Sequence, residues 1–309
     1  MFQMKRTCLS AVLAVFVLVT GVRLNAQTIG QGRAVITVLS RHTEMAPNLT
    51  QQDVSVRING KDADVTGWKP FKGADDTLEL VISIDGGARN LGSQLDEIKT
   101  FIQGQGPHTK IAVGYMQNGV TLLAGPLSTD HGQAVSELRL PAGPTTNPYF
   151  SLSDLGRHWP SEDRHARREV LLLSDGVDPE NRRFDPDDPY VQSAINDSVR
   201  AGLVVYTLFW LNRTERDDSS ITVNGGQSLL NELTDATGGY SYWAGTGNPV
   251  TFKPFFDDLD RRFASQYALE FTAPLARKPA IESLKLKVEG LGIQVTSPQQ
   301  VYVDQGSPK

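Results

Sequence analysis

The hydrophobic pattern of the chain contains two continuous apolar runs, and each ends in a carboxylate followed by a glycine. Residues 80–84 lead into Asp85, and residues 170–173 lead into Ser174 and Asp175. Uninterrupted runs of β-branched and aliphatic residues are typical of parallel strands that are covered on both faces. Because ligand sites in open α/β sheets lie beyond the carboxyl ends of the strands, the pattern predicts that Asp85 and Asp175 meet at one edge of a sheet.

Other segments carry apolar residues at helical spacing, three or four positions apart. Residues 91–102 are the first such segment, and residues 190–201 form another that ends at Gly202, a suitable C-terminal cap. The polar residues 212–226 predict an irregular segment, after which a helix is predicted at residues 227–237. Other helices are predicted at residues 129–138, from residue 151 onward and at residues 252–263.

The remaining apolar segments of the central region complete the predicted sheet. Residues 203–210 predict a third buried strand. Residues 110–116 and 120–124 predict a hairpin around Asn118 and Gly119, which gives the sheet a short antiparallel edge. The predicted fold class is therefore α/β, with a doubly wound and mostly parallel sheet.

Both ends of the chain have the pattern of β-structure instead. Residues 34–39 and 53–58 precede a tight turn at Asn59 and Gly60, and four short strands are predicted beyond Ser265. Each block is small for independent stability, so we expect the two to pair into one small sandwich-like layer. The predicted divisions are a signal peptide at 1–26, an N-terminal β segment at 27–75, an α/β domain at 76–265 and a C-terminal β segment at 266–309.

The first 26 residues predict export. Lys5 and Arg6 precede an apolar core that is too short to span a membrane, and Ala26 is a plausible cleavage residue. The sequence therefore predicts a secreted or periplasmic protein without a membrane contact after cleavage, the alternative being a retained membrane anchor, since Leu24 is an imperfect residue for the cleavage motif. Its one cysteine, Cys8, lies in this segment, so the mature chain has no thiol for disulfides, metal binding or nucleophilic catalysis. Cleavage leaves 27 basic and 35 acidic residues, a net charge of −8 that argues against nucleic acid as a partner.

The order of these motifs resembles a known family. A strand ending in Asp85, a glycine turn, a distant loop containing threonine and then Leu-Leu-Ser-Asp-Gly resemble the von Willebrand factor A-type (VWA) domain over roughly residues 76–265. The N-terminal hairpin block, residues 233–239 and residues 265–267 are similar to bacterial secreted VWA-related proteins. The resemblance implies a doubly wound fold and a non-catalytic role in binding a protein partner.

The family's metal site is only partly matched. VWA domains hold Mg²⁺ or Mn²⁺ through Asp-x-Ser-x-Ser, a loop threonine and a later aspartate, which together supply hard oxygen ligands. By resemblance, Asp85, Thr146 and Asp175 take these positions, with Thr145 as an alternative to Thr146. Asp85 and Asp175 can also serve only to cap the helices that follow them, by accepting backbone N–H bonds.

The two serine positions of the motif hold Gly87, which has no side-chain oxygen, and Arg89, which adds a positive charge. We therefore expect a degenerate site with no cofactor, Mg²⁺ or Mn²⁺ being the alternative. Arg89 is expected either to replace the missing ion beside the carboxylates or to point to solvent. The predicted partner-binding edge consists of Asp85, Gly87, Arg89, Thr145, Thr146 and Asp175.

Other kinds of site fit less well. The glycines after Asp85 do not have the G-x-G-x-x-G spacing of a dinucleotide site, and Ser174 lacks the flanking glycines of a hydrolase nucleophile. The acidic stretch from Asp178 to Asp188 predicts a solvated loop. The leading hypothesis is an exported protein-interaction module; the alternatives are a hydrolase-like enzyme that uses the same edge and a purely structural envelope protein.

Overall fold

The computed structural model describes residues 29–41, 49–73, 77–88, 90–144, 147–163, 165–181, 183–211, 219–243, 247–274 and 278–305. The predictions for the signal peptide, Arg89, Thr145 and Thr146 lie outside these residues.

The described residues contain thirteen strands and six α-helices. The strands are β1 (Ile29–Ser40), β2 (Val54–Ile58), β3 (Lys61–Pro70), β4 (Leu78–Asp85), β5 (Thr109–Gln117), β6 (Val120–Leu123), β7 (Arg167–Ser174), β8 (Leu203–Phe209), β9 (Ser241–Tyr242), β10 (Gln266–Pro274), β11 (Ala280–Val288), β12 (Ile293–Thr296) and β13 (Gln300–Asp304). The helices are α1 (Gln94–Gly104), α2 (His131–Glu137), α3 (Pro148–Arg157), α4 (Pro189–Ala201), α5 (Ser220–Thr237) and α6 (Lys253–Phe263).

The middle of the chain forms a doubly wound α/β sheet. Its strands lie in the order β6, β5, β4, β7, β8, β9, and only β6 is antiparallel to its neighbour. Counted from β4 this is the order 3-2-1-4-5-6, in which the winding reverses between β4 and β7. These two strands are buried along their whole length, apart from one half-buried residue near the start of β7, and apolar clusters cover both faces of the sheet. The predicted α/β fold is confirmed.

The helix α5 begins earlier than the sequence pattern predicts. The predicted irregular segment runs to residue 226, whereas the helix starts at Ser220, where Ser219 accepts the backbone N–H of Thr222. Gly225 and Gly226, which favour a loop by propensity, lie inside the helix. Neither has room for a side chain: a Cβ on Gly225 would overlap the ring of Phe184, and one on Gly226 would lie 2.2 Å from the carbonyl oxygen of Asp175. Close packing therefore outweighs the low helix propensity of the two glycines, and the segment is helical.

The terminal segments pair into one sheet that closes on itself. Successive antiparallel pairings join β10, β3, β2, β11, β13 and β1, and β1 then pairs again with β10. The sandwich-like layer predicted from the sequence is thus corrected to a closed antiparallel barrel. Closure occurs because the long strand β1 has partners on both of its sides, which a period-two pattern does not reveal. The proposed domain limits stay a prediction.

The barrel has its own apolar core, which includes Trp68 stacked on Tyr267 at 4.6 Å between ring centroids. It contacts the α/β layer mainly through α4, α5 and α6. None of the described helices is both long enough and apolar enough to cross a membrane.

Candidate functional site

The two acidic strand ends meet at the point where the sheet winding reverses. Ile84 of β4 is paired with Leu173 of β7, so Asp85 and Ser174 leave adjacent parallel strands side by side. The Ser174 hydroxyl donates to Asp85 Oδ2 at 3.4 Å, and it accepts the backbone N–H of Gly176 at 3.1 Å. Asp85 Oδ1 accepts the N–H of Gly87 at 2.9 Å. Asp85 is therefore tied both to its own turn and to the neighbouring strand.

Asp175 is held in a similar way. Its Oδ1 accepts the N–H of Val177 at 3.0 Å, and the side chain is buried. The carbonyl of the same residue lies against Gly226 of α5, which fixes the turn from the other side. Both acids thus stabilise the turns that follow their strands. The prediction that they cap the following helices is wrong, since those helices begin only at Gln94 and Pro189.

The threonine-containing loop reaches the same edge. A Cβ on Gly86 would lie 2.7 Å from the carbonyl oxygen of Pro144, so the turn after Asp85 and this loop are in direct backbone contact. At the far end of the loop, Asn147 Oδ1 caps α3 by accepting the N–H groups of Tyr149 and Phe150 at 2.9 and 3.1 Å. The Tyr149 hydroxyl then donates to the carbonyl of Gly176 at 2.9 Å.

The residues that flank Thr145 and Thr146 therefore lie at the predicted edge. The structure brings together Asp85, Gly87 and Asp175 there, while the side chains of Arg89, Thr145 and Thr146 are outside the described residues. The assignment of these six residues to a partner-binding edge stays a prediction.

A third carboxylate at this edge is missed by the sequence interpretation. The pattern predicts that Asp178 lies in a solvated loop, yet this residue is only 1% exposed. Burial raises the pKa of the Asp178 carboxyl, and the negative charge of Asp188 raises it further. Hydrogen bonds from the N–H of Glu180 and the side chain of Asn147 act in the opposite direction. The loop expectation is wrong for Asp178, since the chain after Asp175 turns inward beneath α3 before it reaches the surface. Period-based patterns carry no signal for such a turn.

The described side chains at this edge are partly occupied by internal hydrogen bonds. Gly87 has no side-chain oxygen and its N–H is directed to Asp85, and Asp175 also uses one oxygen for a backbone N–H. Among the residues that the structure describes, no three His, Cys, Asp or Glu side chains are grouped so that they could hold a metal. Divalent cations need several oxygen ligands free to face the ion. The cofactor prediction itself is not tested by this geometry.

The serine-hydrolase alternative gains no support from the described contacts. Ser174 is buried, and its hydroxyl is engaged with Asp85 and Gly176. The described histidines with ring hydrogen bonds are elsewhere: His131 contacts the carbonyl of Thr109, and His158 contacts Asp154. A nucleophile needs a base within hydrogen-bond reach, and no described histidine meets that condition at Ser174.

Exposed apolar side chains surround this edge. In a doubly wound sheet, helices run opposite to the strands, so their first turns lie beside the strands' carboxyl ends. Phe150 and Tyr190 are in the first turns of α3 and α4, and their rings are in contact with centroids 4.3 Å apart. Ile221 is in the first turn of α5, and Val250, which is 90% exposed, lies three residues before the start of α6. We call these four residues the apolar rim.

Comparison with known proteins gives matches only at the level of structure. No family model matches the chain, and no curated protein matches it. BatB from Bacteroides thetaiotaomicron is 12% identical, covering 60% of this chain and 97% of its own, with a TM-score of 0.45. An aerotolerance-related membrane protein from Bacteroides fragilis is also 12% identical. The match covers 60% of this chain and 98% of that protein's chain, with a TM-score of 0.44. The manganese-loaded TRAP protein of Plasmodium vivax is 14% identical. The match covers 73% of this chain and 94% of that protein's chain, with a TM-score of 0.41.

The neighbours named here are VWA-domain proteins. At these identities and TM-scores, the matches transfer no fold, ligand, partner or activity to this chain. The strand order and the helix placement described above define the α/β architecture independently of these matches.

Proposed function

We propose that this chain is an exported, non-catalytic protein-interaction module of VWA type, which binds a protein partner at the β4–β7 edge without a divalent ion. The proposal is carried by one observation: the apolar rim surrounds the edge at which the acidic strand ends meet. A contiguous exposed apolar patch, such as the one that Phe150 and Tyr190 form, commonly marks a surface that is covered by a partner. Export is inferred from the N-terminal 26 residues.

The internal hydrogen bonds of the edge support binding without an ion. Asp85 and Asp175 each accept a backbone N–H, and such bonds stabilise the charged form of a carboxylate. The turns are therefore held in place by the protein itself. In this proposal, the partner contacts the apolar rim and the loop backbones, and the affinity comes from burial of apolar surface.

The test is capture of partners from the envelope fraction and the culture fluid, with the mature protein as bait in the presence of EDTA or Mn²⁺. We expect the same partner to be retained in both conditions. Ile221→Ser and Val250→Ser should each reduce its recovery at least tenfold. The matched control is Leu291→Ser, since Leu291 is fully exposed at the turn between β11 and β12, on the barrel.

Three results would count against this function. Loss of capture in EDTA would show that an ion takes part in binding. Equal capture by the rim variants and the wild type would place the partner elsewhere on the protein. Purified catalytic activity that depends on Ser174 or Asp175 would instead favour the hydrolase-like alternative.

A further inference from the structure

Two residues of the apolar rim form a continuous aromatic surface. Phe150 and Tyr190 are 40% and 38% exposed, and their ring centroids are 4.3 Å apart with an angle of 35° between the ring planes. A Cβ on Gly119 would lie 3.6 Å from the Cβ of Phe150, so the turn between β5 and β6 borders this surface. Large apolar rings that contact each other and still face solvent are typical of a docking surface. We call Phe150 and Tyr190 the aromatic pair.

A short acidic segment leads directly into the helix that carries Tyr190. Residues 185–188 have the sequence Asp-Pro-Asp-Asp, and we call them the acidic turn. Asp188 Oδ1 accepts the backbone N–H of Tyr190 at 2.9 Å. The charge of Asp188 also acts on the buried carboxyl of Asp178, which contacts Asn147 at the start of α3. The acidic turn therefore lies close to the first turns of both helices that carry the aromatic pair.

The carboxylates of the acidic turn are not neutralised by the part of the chain that the structure describes. None of Asp185, Asp187 and Asp188 forms an ion pair there. Asp185 and Asp187 are exposed. Residues 178–188 contain five acidic residues against two arginines, which leaves a net charge of −3. The surface beside the aromatic pair is therefore negative.

Internal hydrogen bonds hold the acidic turn in place. The side chain of Asn181 is buried, and it accepts the N–H of Asp185 at 2.9 Å and donates to the carbonyl of Asp185 at 2.8 Å. Gln192 of α4 donates to the carbonyl of Pro186 at 2.8 Å. Because the turn is already ordered, a partner that binds to it does not lose affinity to the cost of ordering it.

We propose that the aromatic pair and the acidic turn together receive a basic segment of the partner protein, with a lysine or arginine side chain against the rings and its charge beside Asp185 and Asp187. Aromatic rings attract cations, and complementary charge selects the partner while apolar burial supplies affinity. The inference rests on the proposed function, since it names the chemistry of the partner at one part of the apolar rim.

The probe is the blocked peptide Ac-Lys-Leu-Arg-Leu-Lys-NH₂, with Ac-Glu-Leu-Glu-Leu-Glu-NH₂ as the control of equal length and equal leucine content. In a titration of the mature protein followed by NMR, the basic peptide should shift the amide signals of Phe150 and Tyr190. The acidic peptide should bind at least tenfold more weakly. Equal binding of the two peptides, or binding of neither, would overturn the proposal.

Salt dependence tests the contribution of charge. Exposed charges are screened by salt, so the affinity for the basic peptide should fall at least threefold between about 50 and about 300 mM NaCl. Binding that salt leaves unchanged would show that the peptide is held by apolar contact alone, and it would contradict the proposal.

The double substitution Asp185→Asn and Asp187→Asn should weaken binding of the basic peptide about fivefold. Asparagine keeps the side-chain oxygen with which Asp185 accepts the N–H of Asp187, so the turn is retained. The matched control is Asp64→Asn with Glu232→Gln, which changes the net charge equally at exposed positions of β3 and α5. The same loss of affinity in both double variants would mean that overall charge, and not the acidic turn, attracts the peptide.

Substitutions of Tyr190 separate the aromatic ring from its hydroxyl. Tyr190→Leu should weaken binding of the basic peptide about threefold, because leucine is apolar but has no ring to attract a cation. Tyr190→Phe keeps the ring and should bind like the wild type. Both variants should keep the wild-type melting temperature within about 2 °C, since the side chain is exposed. Wild-type affinity in Tyr190→Leu would refute the contact between cation and ring.

Partner capture distinguishes failure of this inference from failure of the proposed function. Capture that Ile221→Ser reduces but the double variant of the acidic turn leaves unchanged would mean that a partner binds the β4–β7 edge without a basic segment. The inference would then be wrong and the proposed function would stand. Equal capture by Ile221→Ser and the wild type would instead count against the proposed function, and the peptide titration would still decide the chemistry of the aromatic pair.

Discussion

The side-chain amide of Gln266 donates a 3.0 Å hydrogen bond to the hydroxyl of Tyr206, and this bond joins the barrel strand β10 to the α/β strand β8. Gln266 also accepts a hydrogen bond from Arg167, whose guanidinium donates to the carbonyl of Phe263 at 2.9 Å. All three side chains are buried. Buried polar groups need partners, so this network couples the two layers of the protein.

Gln266→Leu is expected to lower the free energy of unfolding by about 2–3 kcal/mol, because it leaves the buried polar groups of Tyr206 and Arg167 with one hydrogen-bond partner fewer. Urea denaturation followed by circular dichroism measures the loss. Gln294→Leu makes the same change at an exposed position of β12 and should stay within about 0.5 kcal/mol of the wild type. Equal stability of the two variants would show that the network does not couple the layers.

Gly86→Ala tests the contact between the loops of the β4–β7 edge. The new methyl group would lie 2.6 and 2.7 Å from the carbonyl oxygens of Met116 and Pro144, and backbone atoms cannot rotate away. We expect a loss of about 1–3 kcal/mol in the free energy of unfolding. Gly92→Ala is the control, since a methyl group at that position would have no described atom within 4 Å beyond its chain neighbours. If both substitutions cost the same, the loops are not packed as described.

The stability of α6 should depend on pH through Asp258. Burial alone would raise its pKa, but hydrogen bonds and the charge of Arg262, with a further bond from Arg261, lower it below the ordinary value of 3.8. The Asp258 carboxylate therefore binds a proton less readily in the folded state than in the unfolded state. Its contribution to the free energy of unfolding is complete above pH 3.8 and is lost as the pH falls through the lowered pKa.

Asp258→Asn should accordingly cost about 1–3 kcal/mol at pH 7 and progressively less as the pH is lowered below 3.8, as measured by urea denaturation at a series of pH values. Asp257→Asn is the neighbouring control, because Asp257 is mostly exposed and pairs only with Lys253 at 2.7 Å in the described contacts. That variant should change stability by less than about 0.5 kcal/mol at any of these pH values. A pH-independent loss for Asp258→Asn would contradict the assigned ion pair.

Calorimetric titration with Mn²⁺ tests the degenerate metal site. The wild type is expected to show no binding at millimolar Mn²⁺, since Gly87 and Arg89 replace two oxygen ligands of the family motif. The double substitution Gly87→Ser and Arg89→Ser restores these oxygens and removes a positive charge, so it should raise the affinity at least tenfold. Tight binding by the wild type would refute the proposal that the edge works without an ion.

Mass spectrometry of the exported protein tests the inferred processing. The mature chain is expected to begin at Gln27, after the small residue Ala26. A different first residue would correct the cleavage position, and a full-length membrane-bound product would refute soluble export.

Local sequence patterns were sufficient for the central strands and most helices of the α/β layer, the start of α5 being an exception. The apolar runs before Asp85 and Ser174 predict two central strands because only strands buried on both faces tolerate such continuous hydrophobicity. Asn59 and Gly60 predict the hairpin because both adopt positive φ, 50° and 75°, at little cost. Gly202 predicts the end of α4 for the same reason, with φ of 69°.

The sequence by itself therefore determined the fold class, the order of the elements and the acids at the strand ends, since these follow from periodicity and turn chemistry over neighbouring residues. Only the tertiary structure decided which distant groups meet. It closed the terminal strands into a barrel through β1, buried Asp178 beside Asn147, and placed two glycines of α5 against the loop of Asp175. Such outcomes depend on close packing between residues far apart in the chain, and a one-dimensional pattern does not encode that packing.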